Sequence, residues 1–172
     1  MTIAAVLLLR REIKILLPLI RRLKAGPVEA EFEREILELQ KSEPRSLPGP
    51  KAQTEDTPEL AHLLRLAEVS PRAAITEAWR DLELSLERSA SQVALASPAT
   101  SSPSSGPLGA VKTLVSAGRL TTEQLVRFGE LRALRNRAVH AENFTPNLEA
   151  AVGFIELARR MKLFAGAGEA GG

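Results

Sequence analysis

Cysteine is absent from the 172-residue chain, which removes disulfide frameworks, thiolate metal sites and thiol nucleophiles together. His62 and His140 are the two histidines, too few for a multi-histidine metal centre, so neither metal nor cofactor is expected. There is no tyrosine and a single tryptophan, and aromatics make up 3% of the residues. A surface that stacks successive bases on several rings cannot be built from that set. No glycine-rich phosphate loop occurs either, since the glycines of 166–172 read as a disordered tail. What remains is 44% hydrophobic and 26% charged, enough for a packed core in one domain with appendages. This is the composition of a soluble, mostly helical, cytoplasmic protein, and its net charge of +2 argues for no partner by itself.

Split along the chain, the charge says more. Residues 1–27 carry Arg10, Arg11, Lys14, Arg21, Arg22 and Lys24 against Glu12, a balance of +5. Residues 28–43 hold six glutamates against Arg34 and Lys41, a balance of −4. Two stretches, 42–57 and 97–107, are rich in Pro, Ser, Thr and Gly without apolar periodicity, and read as flexible connections. The pieces between them are helical in pattern. Val6, Leu9, Ile13, Leu16, Ile20 and Leu23 form an a/d seam over 3–24, interrupted at Pro18. Val28, Phe32, Ile36 and Leu39 repeat the theme over 28–40, with glutamates opposite. Thr57-Pro58 and Ser70-Pro71 open two further helices, the second bearing the stripe Ile75, Ala78, Trp79, Leu82 and Leu86. A short helix 108–117 ends at Gly118, Thr121 starts a longer one, and Thr145-Pro146 with Glu149 caps a last helix over 146–164. The pattern predicts an all-α bundle of four to five helices over 58–164, with residues 1–41 as an amphipathic extension.

That extension has more than one use. The uncharged run Met1–Leu9 is far shorter than the roughly 20 apolar residues of a spanning helix. Its charges follow the apolar run, where those of a signal peptide would precede it. Residues 3–24 suit either an anionic membrane surface or a partner helix. A third reading makes Arg10-Arg11 the cytoplasmic flank of a membrane anchor that begins upstream of Met1, which would tie the protein to the inner membrane.

The one constellation with chemical potential surrounds His140. Advancing about 100° per residue puts Leu125, Phe128, Leu131, Leu134, Ala138 and Val139 in one apolar arc, and Arg135 falls inside it. A guanidinium in that position needs a partner. His140 shares a face with Asn136 but lies about 140° from Arg135 on an ideal helix. Convergence of the two requires fraying near His140 or a second copy of the chain, which suits a cleft in a homodimer.

The string LRALRNRAVHAENFTPNLEAA resembles the signature segment of HEPN domains (higher eukaryote and prokaryote nucleotide-binding), an arginine followed after four to six residues by a histidine. A polar residue, often asparagine, commonly follows the arginine in those domains, and Asn136 stands there. SPRAAITEAWRDLELSLERSA is similar to the opening helix of uncharacterised bacterial HEPN-like proteins, and GPVEAEFEREI to a lead-in that in such proteins often follows a membrane anchor. The resemblance covers residues 58–164 and implies a HEPN-like bundle with metal-independent endoribonuclease activity on RNA. It implies that His140 moves the proton, imidazole being suited to that near neutral pH. Arg135 would stabilise charge on the phosphoryl oxygens, and Asn136 would orient phosphate or imidazole. Arg132 and Arg137 would be secondary phosphate contacts.

Structural alternatives stand beside each role. His140 at a helix end also suits the dipole, Arg135 also suits a glutamate across the bundle, and Arg132 and Arg137 also suit a solvated surface. Trp79 reads as core and His62 as structural, while Glu77 and Asp81 share a face with Arg88 and read as a surface network. A non-catalytic HEPN-like interaction module, in a membrane-associated or stress-response assembly, is the alternative to the nuclease.

Overall fold

The computed structural model describes residues 27–42, 57–96, 106–141 and 144–166. They form six helices: α1 (Pro27–Ser42), α2 (Pro58–Val69), α3 (Pro71–Ala96), α4 (Pro107–Ser116), α5 (Thr122–His140) and α6 (Leu148–Gly166). The amphipathic segment 3–24, the interior of both proline-rich connections and the tail beyond 166 lie outside the described residues. No helix among the described residues is long and apolar enough to cross a membrane.

Helix boundaries follow local chemistry. Proline is the first residue of α1, α2, α3 and α4, where its missing N–H has no intrahelical acceptor to satisfy and its fixed φ already suits a helix. The Thr57 hydroxyl accepts from the Leu60 amide at 3.3 Å. At α5, Thr121 and Gln124 cap each other reciprocally: Thr121 Oγ1 accepts from the Gln124 amide at 3.2 Å, and Gln124 Oε1 from the Thr121 amide at 2.7 Å. After α4 the chain enters the left-handed region at Gly118, φ +69°. The Gly118 amide donates to Val115 O and that of Arg119 to Leu114 O, a Schellman ending that only glycine adopts without strain. The last helix starts later than the Thr145-Pro146 pair suggests. Asn147 is its cap, with Oδ1 accepting from the Ala150 amide at 2.8 Å.

α3 is the centre of the bundle. It packs on α2, α4 and α5, and most extensively on α6. Its expected stripe is buried throughout, and Trp79 stacks on Phe128 of α5 with ring centroids 5.1 Å apart.

α1 departs from the expected organisation, which placed it with the extension outside 58–164. It packs on α6, and Phe32, Ile36 and Leu39 belong to the common core. The reason is a close approach. A Cβ at Gly153 of α6 would stand 2.5 Å from Ile36 Cγ2, so only glycine lets α1 settle this near. Phe32 meets Phe144 with centroids 5.0 Å apart, and Gln40 donates to Glu156 at 3.0 Å. An amphipathic helix with three large side chains at core spacing buries them where an apolar surface is offered.

Candidate functional site

The arginines of α5 divide by the direction they face. Arg127 and Arg137 lie on the side turned to α1, and both reach across to it. Arg137 makes a bidentate pair with Glu35, Nη1 to Oε1 at 3.1 Å and Nη2 to Oε2 at 2.9 Å. Arg127 donates to Ser42 Oγ at 3.0 Å and Leu39 O at 3.4 Å, with Glu130 Oε2 at 3.6 Å. A fork already matched to a carboxylate is poorly available to a phosphate, which would first have to displace Glu35. Arg137, expected as a secondary phosphate contact, is therefore an internal tie between two helices.

Arg135 and Arg132 have no ion pair among the described residues. Arg132 is exposed; Arg135 is half-buried. On the helical wheel Arg135 falls between Leu131 and Phe128, both fully buried, so its stem lies along the core while its end works outward. Nη1 donates to Asn136 Oδ1 at 3.0 Å. Nε is buried and has no hydrogen-bond partner among the described residues. Among the described residues its partner is thus a neutral amide, the next residue in the chain, in place of the glutamate expected across the bundle.

His140 is the last residue of α5 and is exposed. The helix is continuous to this point, with the Ala141 amide donating to Arg137 O at 3.2 Å, so there is no fraying that would swing the imidazole round. One turn apart, Asn136 and His140 share a face. The structure therefore brings Arg135 and Asn136 together and sets His140 on the side of Asn136; within one chain the helical geometry keeps Arg135 and His140 about 140° apart.

Arg72, near the start of α3, holds this end of α5. Its Nη2 donates to Ala141 O at 3.2 Å and also to Phe144 O. Two carbonyls at and beyond the helix terminus are thereby satisfied by a residue 69 and 72 positions away. Sequence reasoning missed it, because backbone carbonyls have no side-chain signature; the arginine directly after Ser70-Pro71 was the one available hint.

The remaining singled-out residues have ordinary surroundings. His62 is exposed on α2. Asp81 pairs with Lys162 of α6 at 2.6 Å and Glu77 with Arg80 at 4.0 Å, so the expected grouping with Arg88 is replaced by a tie to α6 and a local pair. The chain matches no family model, no curated protein and no solved structure.

Proposed function

We propose that the chain is a HEPN-like helical domain that binds and cleaves RNA in the cytoplasm, without a metal, at a cleft between two copies. The observation that carries this reading is the half-buried Arg135, without an ion pair among the described residues and bonded to Asn136 one turn before His140. A cation held where water is scarce interacts strongly with an anion that reaches it. In the proposed reaction the RNA 2′-oxygen attacks the adjacent phosphorus, the P–O5′ bond breaks, and the products carry a 2′,3′-cyclic phosphate and a free 5′-hydroxyl. His140 takes the 2′-hydroxyl proton or protonates the leaving oxygen. Arg135 stabilises the phosphoryl oxygens, Asn136 keeps its guanidinium oriented, and Arg132 contacts the neighbouring phosphate. Because α5 is continuous, the Arg135 and His140 that act on one phosphate come from different protomers.

Mixed RNA incubated with the protein in excess chelator tests this. Wild type gives cyclic-phosphate ends; His140→Ala and Arg135→Ala each abolish cleavage while light scattering still reports a dimer. Mixing the two inactive variants restores part of the activity, since one hybrid cleft then has both groups. No cleavage by wild type would overturn the nuclease reading.

The same continuity of α5 favours a second reading, a non-catalytic HEPN-like module of a membrane-associated or stress-response assembly. There Arg135 and His140 serve separate contacts with a partner, and neither variant alters RNA.

A further inference from the structure

Every aromatic ring of the chain is taken up by the core. The sequence has one tryptophan, five phenylalanines and no tyrosine. Trp79, Phe32, Phe128, Phe144 and Phe154 are at most 2% exposed, and Phe164 packs against the same core partly buried. The surface around Arg135 is therefore left without a ring on which an unstacked base could rest.

The polar groups there offer hydrogens and little else. A guanidinium has donors and no acceptor, so Arg132 and Arg135 bring N–H groups alone. Asn136 could read a base edge with its amide, but its Oδ1 accepts from Arg135 Nη1 at 3.0 Å, which leaves the NH2 end for a ligand. Adenine and cytosine are told apart from the other bases by their amino groups, which need an acceptor opposite them. Phosphate and ribose oxygens need only donors. A guanidinium fork engaged with phosphate is not free to read guanine.

We infer that this site, taken as the RNA site proposed above, reads the sugar–phosphate backbone, and that its substrate is unpaired RNA of any base sequence. An arginine plane that comes to lie on a base does so whatever the base, since all four have a π-face. Paired RNA is excluded by the same inventory. Drawing a base out of a duplex costs its stacking and pairing, and the site has no ring to offset that cost. Arg132, Asn136 and His140 follow one another at intervals of one helical turn, so a ridge of α5 tracks the strand from phosphate to phosphate.

Strands of 2′-fluoro RNA with a single ribonucleotide, A, C, G or U, confine cleavage to one bond and are assayed in excess chelator. kcat/KM agrees within about threefold across the four, where a site reading a base edge would spread them by about tenfold or more. An abasic ribose at the same place is cut at a similar rate, and the same bond inside a duplex is not cut. Arg132→Gln, at an exposed position, weakens binding of all four strands alike and makes the slope of log affinity against log salt shallower by about 0.7. A base-edge spread among the four strands, or cleavage of the duplex, overturns the inference. Fluorescence anisotropy with all-2′-fluoro strands, which cannot be cut, reads it without catalysis. Equal affinities in a protein that cuts nothing would end the nuclease reading and leave backbone recognition standing; no binding to any strand would end both.

Discussion

Arg135 and Arg137 sit two residues apart and do opposite things. The Arg137 fork is satisfied by Glu35, so its worth is that of a half-buried ion pair between helices. Glu35→Gln should lower stability by about 1 kcal/mol, read from urea unfolding, and Arg137→Gln by a similar amount. The double variant should lose less than the sum, because the two residues act as one contact. Arg135 has an unsatisfied buried Nε and no comparable partner among the described residues. Arg135→Met, which keeps the length of the stem and removes the charge, should leave stability unchanged or raise it by about 1 kcal/mol. If the same variant loses RNA cleavage, the guanidinium is kept for chemistry and not for the fold. A loss of stability would show that it has a structural partner after all.

At the scale of elements, the close approach of α1 to α6 turns on one missing Cβ. Alanine ordinarily favours a helix over glycine by about 1 kcal/mol. Gly153→Ala should nevertheless destabilise by about 1–3 kcal/mol, since the new methyl falls on Ile36. Removing the obstructing group in Gly153→Ala/Ile36→Ala should return part of that loss, and a denaturation series on the three variants checks it. Thr121→Ala should cost about 1 kcal/mol through the reciprocal cap of α5. Helix positions were legible because proline, threonine and glycine mark ends by local sterics and short-range hydrogen bonds. The start of α6 was not, because Thr145-Pro146 resembles a cap as closely as Asn147 does, and the difference lies in which oxygen meets the Ala150 amide. The membership of α1 in the bundle was hidden for a different reason. Its apolar face was plain, but what it covers depends on Gly153, more than a hundred residues away.

For the molecule as a whole, Phe32 and Trp79 offer a test of unity. If α1 belongs to the same cooperative unit as the rest, Phe32→Ala should lower stability by about 3–5 kcal/mol. Trp79 fluorescence and helical circular dichroism should then shift together, because the ring lies on α3 and the deletion on α1. A lag between the two probes would mean that α1 opens on its own. Much of the candidate site could be read in advance as a string, Arg135, Asn136 and His140, but not its wiring. The pairing of Arg137 to Glu35 and the grip of Arg72 on Ala141 and Phe144 are long-range contacts that no periodicity announces. That grip has a measurable kinetic side. The last turn of a helix ordinarily exchanges its amide hydrogens with solvent deuterium within moments, yet the amides of 138–141 should exchange slowly here and quicken in Arg72→Gln, so that a histidine at the tip of one helix keeps time with the root of another.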